Sequence, residues 1–315
     1  MSLLEITGLT HSFGENLLYK NAGFTLNKGE HIGIVGQNGT GKSTLIKICT
    51  EQIIPDSGRV IWQPNITIGY LDQYAEIDHT LTMKEFLKSA FAKLFEIETQ
   101  VMQLYEKAAD GDMKNLELAA YYQEQLETHD FYSIDTAIER VANGLGLLAI
   151  GLDRPIIEMS GGQRAKVILA KLLLEKPDVL LLDEPTNFLD KDHVAWLAEY
   201  ISSLENAFLV VSHDFDFLDK IANRICDIDN DTITKYYGTY SEFLRKKTLL
   251  REDYIRQYSA QQKEIKKQRS LLGKILLDEK QKWREGDKNS LIEWTKWRLW
   301  NRKRLFLIFI FLFYR

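Results

Sequence analysis

The part of this 315-residue sequence with the clearest chemistry is a nine-residue loop rich in glycine. Its residues are Gly36, Gln37, Asn38, Gly39, Thr40, Gly41, Lys42, Ser43 and Thr44. They match the pattern G-x-x-x-x-G-K-[ST], follow an apolar run typical of a strand and precede a helical pattern. Glycines let successive backbone N–H groups turn around an anion, and the helix that starts there adds its positive dipole end. The pattern predicts a phosphate-binding loop in which Lys42 supplies positive charge and the Ser43 hydroxyl suits Mg²⁺.

Two adjacent carboxylates, Asp183 and Glu184, end an apolar run that is typical of a buried parallel strand. Because ligands bind at the carboxyl ends of such strands, both side chains are expected at the mouth of the phosphate loop. There Asp183 suits Mg²⁺, and Glu184 suits a general base that polarises an attacking water. A Leu-Leu-Leu-Asp-Glu sequence alone is a common strand end, and only its combination with the phosphate loop favours a catalytic pair.

A second glycine-containing motif, Ser160-Gly161-Gly162-Gln163, lies directly before another helical pattern. One interpretation is structural, with Ser160 as the N-cap of the helix. The other is functional, because two glycines and a hydroxyl at a helix start also form a site for an anion.

These motifs, in this order and together with Gln73, Asp190 and His213, resemble the ATP-binding cassette (ABC) ATPases over about residues 3–240. The resemblance implies an α/β fold, a P-loop NTPase of the ABC cassette type, with ATP and Mg²⁺ as cofactors. It implies that Phe13 stacks on adenine and that Ser43, Gln73 and Asp183 hold Mg²⁺. The implied catalytic residues are Glu184, Gln73, which links the metal and the attacking water, and His213, which reaches the γ-phosphate.

The same resemblance implies a second cassette as partner. In the family, the motif Ser160–Gln163 contacts the nucleotide held by the opposing cassette, and Asp190 lies in the loop that crosses the interface. Met159 departs from the family pattern, in which leucine is usual at this position.

The string from Asp183 to Asp190 is similar to one typical of the ABC-F branch, with Phe188 where histidine is usual. Gln73 and Ser160 are 87 residues apart, and the intervening helical patterns resemble the "arm" of ABC-F proteins. This resemblance implies a protein with two cassettes on one chain that acts on ribosomes, in translation or in resistance to ribosome-targeting antibiotics. The arm region is acidic, with 6 Lys and Arg against 12 Asp and Glu, which suits a protein surface better than RNA phosphates.

We therefore expect four regions. Residues 1–80 and 149–240 form the nucleotide-binding core, and residues 81–148 form a helical hairpin inserted into it. Residues 241–269 begin a basic linker helix, and residues 270–315 form an aberrant tail. The tail contains four of the six tryptophans and ends in an apolar run, and we interpret it as a frameshifted reading of a normal linker. The alternative is a genuine amphipathic tail that lies on a membrane surface.

Charge and composition point to the same class of protein. The net charge of −5 combines −17 in residues 1–244 with +12 in residues 245–315. A basic segment of this kind suggests nucleic acid or another polyanion as partner, and the alternative is a solvated charged helix. The two cysteines, Cys49 and Cys226, have no paired spacing that would suggest a disulfide or metal site. The first residues lack signal-peptide features, and residues 305–314 are too few to span a membrane, so a cytoplasmic location is expected.

Two other functions share the same nucleotide chemistry. One is the ATPase subunit of a membrane transporter, and the other is a truncated chain that binds ATP with little turnover. The missing second cassette is supplied either by another part of a longer chain or by a second copy of this one.

Overall fold

The computed structural model describes residues 2–72, 80–108 and 113–285, and the segments that form regular structure follow in chain order. The strands are β1 (Ser2–Phe13), β2 (Asn16–Asn27), β3 (His31–Gly36), β4 (Ser57–Trp62), β5 (Ile68–Tyr70), β6 (Val179–Asp183), β7 (Ala207–Val211), β8 (Arg224–Asp229) and β9 (Thr232–Tyr237). The α-helices are α1 (Lys42–Cys49), α2 (Met83–Lys88), α3 (Ala92–Ala108), α4 (Met113–Thr128), α5 (Ile134–Gly144), α6 (Gly161–Glu175), α7 (Lys191–Ser202), α8 (Phe215–Ile221) and α9 (Tyr240–Glu285).

The described strands form two sheets. The main sheet has the order β5-β6-β7-β3-β8-β9, with parallel pairs from β5 to β8 and β9 antiparallel at one edge. The second sheet is antiparallel, with the order β2-β1-β4. The α/β class predicted from the sequence is confirmed.

The apolar run of β6 explains why it occupies the interior of the main sheet. Leu180 and Leu182 pack into one hydrophobic core with α5, α6 and α7. Val179 and Leu181 point to the opposite face and pack into a second core with α1 and the antiparallel sheet. A strand that is buried on both faces reads as a continuous apolar run, which is the pattern seen here.

The helices of the predicted insertion divide into two groups. α3 and α4 pack against each other as a hairpin, whereas α2 and α5 both contact α6. A capping box begins α2, in which Thr82 and Glu85 hydrogen-bond reciprocally. The hairpin itself therefore occupies Ala92–Thr128, a part of the 81–148 insertion that we expected from the sequence.

Helix α9 is the longest element, with 46 residues, which corresponds to about 69 Å. It crosses residue 270 without a break, so the expected start of the tail is not a helix end. The chain divides into two compact units, Met1–Lys246 and Lys247–Arg315, and the second is described as helix as far as Glu285. None of the helices among the described residues has the length and hydrophobicity needed to span a membrane.

Glu30 is a largely buried carboxylate that joins distant parts of the first unit. Its Oε2 accepts hydrogen bonds from the backbone N–H of Asn27 at 2.8 Å and from Lys235 Nζ at 2.6 Å. Arg224 Nε lies 3.6 Å from its Oε1. Burial by itself would raise the pKa of Glu30, but the hydrogen bonds from Lys235 and Asn27 outweigh it, so the pKa is lowered.

We expect Glu30→Ala to lower the free energy of unfolding at neutral pH by about 2–3 kcal/mol, because Lys235 and Arg224 lose their shared carboxylate. This is less than the roughly 3–5 kcal/mol of a fully buried pair, since the side chains keep some exposure. A carboxylate with a lowered pKa adds stability above its unfolded pKa, and this stability is lost as the pH falls through the folded pKa. The difference in unfolding free energy between the wild type and Glu30→Ala should therefore shrink below about pH 4. Urea unfolding at several pH values measures it.

Glu5→Ala is the matched control, because Glu5 is an exposed carboxylate on β1. If both variants unfold at the same urea concentration, Glu30 does not stabilise the fold in this way.

Candidate functional site

The glycine-rich loop runs from the end of β3 to the start of α1. Gly41 is the N-cap of α1 and has a φ of +98°, a left-handed conformation that favours glycine. At the other end of the loop, a Cβ on Gly36 would lie 2.7 Å from the carbonyl oxygen of Ile228. Thr40 Oγ1 donates a hydrogen bond to the carbonyl of Gln37 at 3.0 Å, which closes the turn between them. The glycine pattern is thus required by both conformation and space.

Lys42 folds back over its own loop. It is almost fully buried, and Nζ donates hydrogen bonds to the carbonyl oxygens of Gly36 and Gln37, both at 3.1 Å. Burial lowers the pKa of Lys42, while the negative charges of Glu184 and Asp183 act in the opposite direction. An ammonium group held in this way can exchange its two neutral carbonyl acceptors for the oxygens of a bound phosphate.

Asp183 and Ser43 meet at the junction of β6 and α1. Ser43 Oγ donates a hydrogen bond to Asp183 Oδ1 at 3.1 Å, although the two residues are 140 positions apart. A hydroxyl and a carboxylate side by side are hard oxygen ligands of the kind that Mg²⁺ prefers.

Glu184 and His213 form a second pair at the same edge of the sheet. Glu184 has a φ of +51°, a left-handed conformation that costs a non-glycine residue about 1–3 kcal/mol. Its Oε2 accepts a hydrogen bond from the backbone N–H of His213 at 3.2 Å, and its Oε1 lies 3.4 Å from His213 Nε2.

The Glu184 carboxyl is largely removed from solvent. Oε1 is buried and has no hydrogen-bond partner among the described residues. Burial is the main cause that raises the pKa of this carboxyl, and it outweighs the opposite effect of His213. A desolvated carboxylate with a raised pKa is a stronger base than an exposed one, as a general base requires.

Two other predicted residues, Phe13 and Asp190, lie on elements that do not carry this cluster. Phe13 ends β1 and is half-exposed, with its ring edge-on to His11 at 4.9 Å. Asp190 is the N-cap of α7 and accepts a hydrogen bond from the backbone N–H of His193 at 3.2 Å. Gln73 lies outside the described residues.

Ser160 caps α6, so the structural interpretation of this motif holds. Its Oγ accepts the N–H of Gln163 at 3.3 Å, and Gln163 Oε1 accepts the N–H of Ser160 at 2.9 Å. Ser160, Gly161 and Gly162 are nevertheless exposed, so the start of the helix is accessible to a partner.

Sequence reasoning missed two tyrosines near the site. Tyr19 donates a hydrogen bond to the carbonyl of Gly41, and Tyr70 interacts electrostatically with Asp183. Burial, followed by the charges of Asp183 and Asp72, raises the pKa of Tyr70 to about 12. A single tyrosine in an apolar strand is indistinguishable from a core residue in the sequence, so no signal identified either one.

Most of the described core matches known protein families. A family described as ABC transporter matches residues 19–187, and a second family with the same description matches residues 226–275.

Curated relatives cover both the core and the long helix. The ABC transporter ATP-binding protein YfmM of Bacillus subtilis is 43% identical over 84% of this chain. The ABC transporter F family member 2 of Arabidopsis thaliana is 32% identical over 86%, and the energy-dependent translational throttle protein EttA of Escherichia coli is 35% identical over 80%. The chain spans 52%, 41% and 45% of the length of these three proteins, respectively.

Solved structures share the fold. An ATP-binding subunit of an ABC transporter aligns with a TM-score of 0.55 and 20% identity, over 81% of this chain and 99% of that one. An archaeal ribosome recycling factor, solved in complex with a ribosomal stalk protein, aligns with a TM-score of 0.50 and 26% identity, over 72% of this chain and 37% of that one.

We expect Glu184→Gln to stabilise the nucleotide-free protein at neutral pH, because it removes a buried charge but keeps an acceptor for the His213 N–H. A carboxyl whose pKa is raised by folding favours the folded state below its unfolded pKa, and that benefit is lost as the pH rises through the folded pKa. The gain in melting temperature should therefore be largest near pH 8 and shrink toward about pH 4. Thermal unfolding across this range measures it.

The exposed carboxylate of Glu199 on α7 offers the control, and Glu199→Gln should leave the melting temperature unchanged at every pH. A Glu184→Gln variant that is less stable than the wild type at pH 8 contradicts the prediction.

Proposed function

Because this chain belongs to the ATP-binding cassette family and has relatives in its F branch, we propose that it is an ABC-F cassette that couples ATP turnover to ribosome binding. ATP and Mg²⁺ bind at the loop Gly36–Thr44, and a second cassette completes the hydrolytic site. The observation that supports the chemistry best is the meeting of Lys42, Ser43, Asp183, Glu184 and His213 at one edge of the main sheet.

Each side chain of this cluster has a distinct role in the proposal. The loop N–H groups and Lys42 bind the phosphates, and Lys42 leaves its carbonyl partners to do so. Ser43 and Asp183 fit Mg²⁺, which would neutralise charge on the phosphate oxygens. Glu184 accepts a proton from the attacking water, and His213, which is exposed and next to Glu184, contacts the γ-phosphate.

The second cassette contacts the exposed surface around the start of α6. Ser160, Gly161 and Gly162 present a helix N-terminus there, which is suited to the phosphates of a nucleotide held by the partner. Asp190 at the start of α7 serves the same interface. If the partner is a second copy of this chain, the pairing is symmetric and contains two equal sites.

The ribosome part of the proposal is supported by relatives and by charge. EttA is named as a translational throttle, and the similar archaeal factor is named for ribosome recycling. α9 carries four exposed cations within seven residues, namely Lys263, Lys266, Lys267 and Arg269. Closely spaced cations on a helix bind nucleic-acid phosphates, and such binding weakens with salt.

The first test separates nucleotide binding from turnover. Lys42→Ala should weaken ATP binding about 10- to 100-fold, because charge-assisted hydrogen bonds to phosphate contribute roughly 1.5–3 kcal/mol. Glu184→Gln should bind ATP like the wild type, and its turnover should fall about 10²- to 10⁴-fold because it lacks the base. Calorimetric titration and phosphate release, measured over a range of chain concentrations, give both quantities.

Lys47→Ala is the matched control, since Lys47 is a partly exposed lysine in the last turn of the same helix. Its ATP affinity and turnover should equal those of the wild type. Wild-type turnover in Glu184→Gln would exclude Glu184 as the base.

The second test concerns the ribosome. With ATP bound, Glu184→Gln should sediment with purified bacterial ribosomes, because arrested hydrolysis preserves the nucleotide-bound state. Replacing Lys263, Lys266 and Lys267 together by glutamine should weaken this binding and reduce its salt dependence, since each phosphate contact contributes to the slope.

Replacing three exposed lysines of the hairpin, Lys93, Lys107 and Lys114, by glutamine removes the same charge elsewhere. This control should sediment like its parent. Recovery of the ATP-bound protein with membranes and not with ribosomes would contradict the proposal and favour a transporter subunit.

A further inference from the structure

Tyr19 lies in β2, in the antiparallel sheet, and its ring is fully buried. In the strand register it pairs with His11 of β1. Its neighbours include Leu18 and the first turn of α1, so the side chain extends from the sheet to the point where the phosphate loop becomes a helix.

The Tyr19 hydroxyl is hydrogen-bonded to the loop. It donates to the carbonyl oxygen of Gly41 at 2.5 Å, and the same oxygen accepts the backbone N–H of Leu45 at 2.8 Å. Burial raises the pKa of Tyr19 well above its ordinary value, so the hydroxyl remains a donor throughout the physiological range. The carbonyl of Gly41 is thus fixed from two directions, by its own helix and by the sheet.

Gly41 and Tyr19 are complementary in shape. A Cβ on Gly41 would lie 2.6 Å from the Tyr19 hydroxyl oxygen and 3.1 Å from Leu18 Cδ1. The glycine therefore gives the tyrosine space to reach the backbone, in addition to adopting its left-handed conformation.

The direction of this carbonyl determines the direction of a phosphate-binding donor. In a trans peptide the C=O of one residue and the N–H of the next point in opposite directions. Because Tyr19 holds the Gly41 C=O toward the antiparallel sheet, the N–H of Lys42 points away from that sheet. Resting on the ATP site proposed above, we propose that Tyr19 is a positioning residue for ATP binding, which orients the Gly41–Lys42 peptide before the nucleotide arrives. A donor that is already oriented loses less entropy when the phosphate binds.

Tyr19→Phe tests the proposal, because it removes the hydroxyl and keeps the ring. We expect ATP to bind about two- to tenfold more weakly, the effect of losing one buried hydrogen bond. The KM for ATP should rise by the same factor. At saturating ATP the kcat should stay within about twofold of the wild type, because Glu184, His213 and Asp183 are untouched. Calorimetric titration and steady-state kinetics provide these numbers.

Tyr105→Phe is the matched control. Its hydroxyl donates a hydrogen bond of similar length, 2.6 Å to Gln123 Oε1, within the α3–α4 hairpin. This variant should keep wild-type affinity and KM. Unchanged ATP affinity in Tyr19→Phe would overturn the proposal, as would a fall in kcat without a rise in KM.

Hydrogen exchange of the nucleotide-free protein adds a readout that does not depend on activity. In Tyr19→Phe the amides between residues 37 and 45 should exchange faster than in the wild type, while the other amides of β2 and those of α6 should be unchanged. Equal exchange across the loop would contradict a positioning role, and a uniform increase throughout the first unit would indicate general destabilisation and also overturn it.

Discussion

The parallel ladder of β6, β7 and β3 is the constraint on which the rest of the site depends. Val211 at the end of β7 pairs with Asp183 on one side and with Ile34 on the other. The three strands therefore end at one edge of the sheet, where the phosphate loop follows β3, Glu184 follows β6 and His213 follows β7. Backbone hydrogen bonds between buried apolar strands hold this register, because a shift by one residue would turn every side chain to the wrong face. Side chains on short segments directly after such strands have little freedom to move apart.

At this edge of the sheet, the charged groups of Lys42 and Glu184 have only part of the polar and charged partners that they could bind. Lys42 hydrogen-bonds to neutral carbonyl oxygens, and Glu184 Oε1 is buried next to an exposed histidine. Glu184 also keeps a left-handed backbone conformation that is unfavourable for its residue type. The desolvated charges and the backbone strain make the nucleotide-free site less stable than an apolar replacement would be. Phosphate oxygens near Lys42 and a water molecule near Glu184 are the partners that would satisfy the two charged groups. Functional sites commonly combine strain and desolvation in this way, at the expense of stability.

The sequence predicted the features that depend on local spacing and missed those that depend on long-range packing. Lys42, Asp183 and Glu184 were identifiable because a loop motif and a strand end define their positions. Tyr19 was not identifiable, because it contacts Gly41 only in the folded chain, where residues 22 positions apart come together. A buried tyrosine in a strand has no distinguishing sequence pattern. The tail expected from residue 270 was inferred from a change in composition, and it stays a prediction, although helix α9 continues through that position. The role of Gln73 stays a prediction.

Side-chain packing within the first unit links the ends of the main-sheet strands to the elements proposed to contact partners. Two glycines near the end of α5 leave space for side chains of α7: a Cβ on Gly144 would overlap the Trp196 ring, and one on Gly146 would overlap His193. His193 Nε2 in turn lies 3.5 Å from Oδ2 of Asp190, the residue that we propose for the cassette interface. On the other side, Phe215 stacks on Tyr240 at 4.7 Å, so the first turn of α9 packs against the segment that carries His213. Because cores are close-packed and yield little, a displacement at either contact must be accommodated by the neighbouring element. Helix α5, which follows the hairpin, thus ends next to the α7 side chain that contacts Asp190, and helix α9, which carries the basic residues, begins against the segment that follows His213.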